Sequence, residues 1–185
     1  MKTYRQTFEE DYRAVQEPKP NGGTRTRYVY IGNWHVWDAT QERLRVVKRV
    51  MALASGLGTA GALIRSPLTW NRWVSLLTGL ALAAVLLEVV GVVQFCAAKP
   101  RLSRQYFGDI NAKLMLAPLA HAILLAGAAV ASVIALAGMR AAWTDALVPV
   151  CFLASALAAA GTFRLYRSLP RKVVENEAAT QAPVS

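Results

Sequence analysis

The chain has 185 residues, of which 55% are hydrophobic, and its formal net charge is +10. Its basic residues cluster at the ends of long apolar runs, where they would meet anionic lipid head groups, and this placement argues against nucleic-acid binding. Apolar runs of this length match the thickness of a bilayer, so the composition also argues against a soluble domain.

The first 45 residues form a basic, aromatic element that we predict to lie in the cytoplasm or at the membrane interface. Aromatic side chains recur every four residues at Tyr4, Phe8 and Tyr12, a spacing that predicts a short amphipathic helix. A stretch rich in Pro and Gly follows and should end that helix.

A β-hairpin is predicted over residues 25–37, with its turn at Gly32 and Asn33, because aromatic and β-branched residues flank a turn-forming pair. The spacing from Asp38 to Gln41 is that of a capping box, which predicts a helix starting at residue 39 and running into the first apolar segment.

Four apolar segments follow, and we predict that each is a transmembrane helix of one bundle over residues 46–168. A span needs about 20 apolar residues. The predicted spans are 46–64, 74–98, 114–139 and 141–163. The polar tail, 169–185, is predicted to be disordered and cytoplasmic. The predicted fold is therefore an all-α integral membrane protein, a four-helix transmembrane bundle with a small cytoplasmic helix and β-hairpin at its N-terminus.

The distribution of basic residues predicts the orientation. With four spans, 18 Lys and Arg residues fall on the side of the termini and three on the other side. If the first segment did not insert, the division would be 13 to eight. Since cytoplasmic loops carry the positive excess, the sequence predicts a multi-pass protein of the cell membrane with both termini in the cytoplasm. Its 15 Arg against six Lys, with abundant Ala, are compatible with a GC-rich bacterial genome.

Polar side chains inside the apolar segments are the candidate functional residues. Counting about 1.5 Å of rise per residue from the flanking basic residues places four of them in one layer near mid-membrane. They are Glu88, His121, Ser155 and Thr59. Glu88 and His121 lie on stripes of small residues that let helices approach closely, so both should face protein. We predict a Glu88–His121 pair that exchanges a proton or binds a cationic ligand; the alternative is a hydrogen bond that only joins two helices.

No other motif predicts chemistry. The glycines Gly56, Gly58 and Gly61 have the spacing of a dinucleotide fingerprint, but no strand precedes them and they lie in a predicted span. The small-residue stripe that we predict to be the packing face of this span consists of Ala52, Ser55, Gly56, Thr59 and Ala60. Two isolated cysteines in apolar runs predict neither a disulfide nor a metal site. We therefore predict no cofactor, no metal and no enzymatic activity.

Two functions remain after these exclusions. The first is a small proton-linked transporter or channel-like subunit that uses the Glu88–His121 pair, and it should be oligomeric because four short spans enclose little space. The second is a non-catalytic subunit or scaffold that binds a partner membrane protein through its small-residue stripes or its aromatic hairpin. In both cases the predicted partners are the lipid bilayer, through anionic head groups at the cytoplasmic face, and a second copy or another membrane protein.

Overall fold

The computed structural model describes residues 10–19, 22–64, 66–138 and 145–176. The described chain is mostly helical with small β elements, which confirms the helical character of the predicted fold. In chain order the elements are β1 (Tyr12–Pro18), β2 (Thr24–Tyr30), β3 (Trp34–Trp37), α1 (Gln41–Ala62), α2 (Arg72–Ala97), α3 (Arg104–Ala137), α4 (Leu147–Arg167) and β4 (Arg171–Val174). A 3-10 helix, Pro67–Trp70, precedes α2.

The chain divides into two compact units. The described residues of the helix unit lie within Ala39–Ala98 and Asp109–Pro170. Those of the strand unit lie within Met1–Asp38, Lys99–Gly108 and Arg171–Ser185. The predicted amphipathic helix depends on Tyr4 and Phe8, which lie outside the described residues, whereas its third aromatic residue, Tyr12, begins strand β1.

Side chains of the helix unit explain where its first two helices begin. The Thr40 hydroxyl accepts a hydrogen bond from the Arg43 amide at 3.3 Å, so α1 begins at Gln41. The predicted start at residue 39, with Asp38 as the cap, is therefore wrong. Asn71 caps α2 in the same way, because its side-chain oxygen Oδ1 accepts a hydrogen bond from the backbone amide of Trp73 at 3.0 Å.

Within the described part of the chain, three helices are long and apolar enough to cross a membrane, namely Arg72–Ala97, Arg104–Ala137 and Leu147–Arg167. Helix α1, which covers most of the predicted span 46–64, is not among them, because basic residues in its first turns lower its mean hydropathy. One of these, Lys48, donates to the carbonyl oxygens of Cys96 and Ala98 at 3.0 and 3.2 Å. Its charge thus lies at the C-terminal end of α2, where the helix dipole favours a cation.

The helix unit has an apolar core and apolar outer faces. The core cluster includes Val85, Leu125 and Phe152, each at most 3% exposed. On the outer faces, Leu57 and Ile134 are each 70% exposed. Exposed aliphatic side chains of this size mark a surface that water does not solvate well. The outer faces are therefore suited to an apolar surrounding.

Two separate two-stranded sheets build the strand unit. Strands β1 and β2 are antiparallel, with Tyr12 opposite Tyr30 and Pro18 opposite Thr24. The turn between them contains Gly22 and Gly23, both with positive φ, which glycine adopts without steric cost. Strand β3 pairs instead with β4, near the other end of the chain.

The predicted hairpin over residues 25–37 is therefore wrong, because β2 and β3 do not pair with each other. A two-residue hairpin turn needs positive φ at one or both central residues, and neither Gly32 nor Asn33 has it. The chain continues there as a loop in which the Ile31 and Gly32 amides donate to the Asp11 carbonyl oxygen at 2.8 and 3.2 Å.

The tail also differs from the prediction of disorder over 169–185. Residues Arg171–Val174 form β4, and the side-chain Nδ2 of Asn176 donates to the Tyr30 carbonyl oxygen at 2.9 Å. Pairing with β3 supplies the backbone hydrogen bonds that an isolated polar segment would lack. Residues 177–185 lie outside the described part of the chain.

Candidate functional site

Glu88 of α2 and His121 of α3 meet inside the helix unit. Glu88 Oε2 lies 2.6 Å from His121 Nδ1, and each residue is 1% exposed. The two helices approach closely near this level because Gly91 has no side chain; a Cβ there would lie 3.0 Å from the side chains of Lys113 and Leu114. The small-residue stripe of α2 therefore brings the carboxyl group to the imidazole ring.

Ser155 of α4 extends this pair into a chain of hydrogen bonds. Its Oγ lies 3.3 Å from His121 Nε2 and donates to the carbonyl oxygen of Gly58 at 2.5 Å. One group from each of the four α-helices therefore takes part in a single buried network.

The direction of the serine hydrogen bond determines where the protons lie. Because a carbonyl oxygen can only accept, the Ser155 proton points to Gly58, and Ser155 Oγ accepts from His121 Nε2–H. The remaining proton of the pair is shared along the Glu88–His121 contact. Either a protonated carboxyl donates to Nδ1, or a carboxylate accepts from a doubly protonated ring. Both arrangements hold two protons and have no net charge.

The second carboxyl oxygen favours the neutral arrangement. Among the described residues, no hydrogen-bond partner reaches Glu88 Oε1, which is fully enclosed. An unpaired oxygen that carries part of a negative charge costs more in a buried site than the carbonyl oxygen of a protonated carboxyl. The unpaired oxygen therefore costs less in the arrangement in which the carboxyl group donates to His121 Nδ1.

Thr59, the fourth predicted site residue, does not join this network. Its hydroxyl donates to the Ser55 carbonyl oxygen of its own helix at 2.8 Å, and its side chain is half-buried. The inner face of α1 runs instead through Ser55, Gly58 and Ala62, each of them buried. Adjacent helical positions are about 100° apart, so a one-residue change of register turns Thr59 away from the network.

Gly58 and Gly61 are positions beside this network that the sequence analysis did not assign to it. A Cβ at Gly58 would lie 3.0 Å from His121 Cε1, and one at Gly61 would lie 2.7 Å from Ser155 Cβ. Two glycines three residues apart let the backbones of α1 and α4 touch, which brings the Gly58 carbonyl oxygen to Ser155. The spacing of these glycines could have indicated a close helix contact. Glycines serve in close helix contacts as well as in phosphate-binding loops, so rejecting a phosphate-binding loop left the helix contact as an explanation.

The order carboxyl, imidazole, hydroxyl resembles the order of groups in serine hydrolases. Two features set this site apart from an active nucleophile. The Ser155 proton is directed at Gly58 rather than at the imidazole, and the backbone of Gly61 occupies the space beside the serine. In this arrangement the hydroxyl group joins α4 to α3 and to α1.

Among the described residues, no group of three His, Cys, Asp or Glu side chains could hold a metal ion. Comparisons with models of protein families, with curated proteins and with solved structures found no match to this chain. The geometry of the buried network is therefore what a proposal about function must rest on.

Proposed function

We propose that this protein is a small multi-pass protein of the cell membrane, either a proton-linked transporter or a channel-like subunit, in which Glu88 and His121 exchange a proton. The Glu88 Oε2–His121 Nδ1 contact of 2.6 Å, between two side chains that are each 1% exposed, carries this proposal. Ionisable residues at membrane depth are costly and mark proton and ion pathways more often than packing contacts.

Four spans with both termini in the cytoplasm are part of the proposal. The division of 18 basic residues to three supports this topology. The contacts of Lys48 with the end of α2 support insertion of α1, because they satisfy a charge that would otherwise face lipid. The exposed leucines of the helix unit support a lipid surrounding.

The proposed path of the proton has three parts. A proton shifts along the Glu88–His121 contact, and His121 Nε2–H leads to the Ser155 hydroxyl. The Gly58 carbonyl oxygen ends the path, because a carbonyl accepts a hydrogen bond but passes no proton onward. Conduction therefore requires a second conformation in which α1 and α4 separate at Gly58 and water reaches Ser155 or Glu88.

A second function has its own supporting observation. The network uses one group from each of the four helices and ends on a backbone carbonyl, as a purely structural cross-link would. A non-catalytic subunit or scaffold that binds a partner membrane protein needs such a rigid interior and no second conformation. A homo-oligomer is compatible with both functions.

Proton uptake by the reconstituted protein distinguishes the transport function from the non-catalytic subunit or scaffold. Liposomes with an internal pH-sensitive dye and an imposed potential would be compared for the wild type, Glu88→Gln and Asp109→Asn. Asp109 is a matched control because it is exposed and bound to Lys113. For transport we expect uptake in the wild type and the control and at least a roughly 10-fold loss in Glu88→Gln, the scale of one proton-transfer group.

Infrared difference spectra on the same samples report the carboxyl group itself. For transport, the band of a protonated carboxyl should change between about pH 5 and 8 in the wild type and be missing in Glu88→Gln. A band that stays unchanged over this range, together with uptake no greater than in empty liposomes, would contradict transport and leave the structural role.

A further inference from the structure

The strand unit contains a cavity of about 370 Å³ that the proposed function does not use. It is lined by Asp11, Gly32, Asn33, His35, Arg104 and Val173. Small-molecule sites have volumes of about 300–1,000 Å³, so the cavity is large enough for a small ligand. Its wall carries one acidic and one basic side chain, and no ion pair joins these two among the described contacts.

Asp11 is the acidic residue of this cavity. It is 6% exposed, and no described residue donates a hydrogen bond to its Oδ2. A buried carboxylate oxygen without a partner costs free energy that a donor would recover. Gly32 leaves room for the carboxylate, because a Cβ there would lie 2.7 Å from Asp11 Oδ1. Asp11 itself lines the cavity, so a donor bound there would lie beside this carboxylate.

Arg104 and His35 supply the complementary part of the wall. Arg104 begins α3, and its backbone amide donates to Tyr30 Oη at 3.0 Å, which holds the start of the helix against the loop. The His35 ring stacks on Phe107 with centroids 4.9 Å apart. Burial, and then the Arg104 guanidinium, lower the pKa of His35 below its ordinary value, so the ring is neutral at pH 7.

We propose that this cavity binds an ethanolamine phosphate group, with the primary ammonium donating to Asp11 and the phosphate contacting Arg104 and His35. A guanidinium group matches phosphate oxygens with two parallel hydrogen bonds, and the first turn of a helix adds positive potential. The primary ammonium supplies the donor that Asp11 lacks. Free phosphoethanolamine and the head group of phosphatidylethanolamine carry the same chemistry.

Binding of phosphoethanolamine to the detergent-solubilised full chain tests this assignment. Asp11→Asn and Arg104→Gln should each weaken binding by roughly 10- to 100-fold, the effect of a hydrogen bond to a charged group. Their matched controls are Asp38→Asn and Arg101→Gln, exposed positions of the same unit that do not line the cavity. Equal losses in variants and controls, or no binding by the wild type, would overturn the assignment.

Phosphocholine tests the ammonium contact without any substitution. It has the same charges but no N–H group, so it should bind roughly 10-fold or more weakly than phosphoethanolamine. Equal affinity would refute recognition by Asp11. Because only the ligand differs, a folding defect cannot explain the result.

The imidazole resonances of the wild type distinguish the two sources of the group. A bound phosphate beside His35 should raise its pKa. At a fixed pH the ligand should leave the His121 signals unchanged, because His121 does not line the cavity. In bilayer discs of phosphatidylcholine, a rise in the pKa of His35 on addition of phosphoethanolamine indicates a soluble ligand. A higher pKa of His35 in discs of phosphatidylethanolamine without added ligand indicates that the lipid head group binds. No response in either case would contradict the proposed site.

Discussion

The hydroxyl group of Ser155 controls the proton arrangement at the centre of the helix unit. Its proton is committed to Gly58, so His121 must donate from Nε2, and only the contact with Glu88 remains free to hold a proton on either side. A neutral pair avoids the desolvation cost of burying two charges, which amounts to several kcal/mol for each ion.

Substitution of Glu88 tests this arrangement through stability. In Glu88→Gln the introduced amide can donate to His121 Nδ1 as a protonated carboxyl does, so the free energy of unfolding should change by no more than about 1 kcal/mol. Glu88→Ala removes the donor and leaves a cavity, and should cost roughly 2–4 kcal/mol. Thermal unfolding in detergent measures both. If Glu88→Gln proves as destabilising as Glu88→Ala, the pair is ionised.

His35 gives the strand unit a pH dependence of known sign. Its pKa in the folded protein lies below the ordinary value of 6.5, mainly through burial and then through Arg104. The unfolded chain therefore binds this proton more readily, and stability should fall as the pH drops from 6.5 through the lowered value. Arg104→Gln should raise the pKa and Asp11→Asn should lower it further, as followed by NMR. Shifts of the opposite sign would show that other charges dominate.

At the level of elements, the contact between α1 and α4 depends on the absence of a side chain at Gly61. A Cβ there would lie 2.7 Å from Ser155 Cβ and 3.0 Å from the Cys151 carbonyl oxygen. Gly61→Ala should therefore destabilise the protein by about 1–3 kcal/mol. Gly56 of the same helix has open space around it, so Gly56→Ala should stabilise by about 0.5–1 kcal/mol. Similar effects at both positions in unfolding measurements would argue against the close contact.

The pairing of β3 with β4 can be tested by the alternation of an antiparallel ladder. The backbone amide and carbonyl groups of His35 form hydrogen bonds with Leu102. Backbone groups of successive residues in a strand point to opposite sides, so those of Val36 point toward β4, where Lys172 lies opposite. Lys172→Pro should remove a ladder hydrogen bond and increase hydrogen exchange at Val36. Val173 lies opposite His35 at a position where the two strands form no backbone hydrogen bond, so Val173→Pro should have little effect on hydrogen exchange at Val36. If both substitutions leave exchange at Val36 unchanged, the strands do not pair in solution.

For the whole molecule, the proposed number of spans predicts on which side of the membrane each terminus lies. Four spans place residues 19 and 175 on the same side, whereas the three strongly apolar helices alone would place them on opposite sides. After replacement of Cys96 and Cys151 by Ala, single Lys19→Cys and Glu175→Cys variants should react with a membrane-impermeant thiol reagent from the cytoplasmic side. Labelling from opposite sides would show that α1 does not cross.

The sequence by itself predicted a helical protein with long apolar segments, because those segments need no partner to be recognised. It also placed Glu88, His121 and Ser155 at one depth, since rise per residue converts positions into heights along a helix. That step brought together the three side chains that the structure shows in contact. Which chemistry they perform stays a prediction.

The tertiary structure alone decided the rotation of α1 and the partners of the strands. Thr59 and Gly58 differ by one position, and only packing against α4 determines which of them faces inward. Strand β3 could pair with its neighbour in sequence or with β4 about 135 residues away, and local propensity is nearly the same for both. Depth and composition are properties of a segment, whereas rotation and pairing belong to contacts between segments, which no single segment encodes.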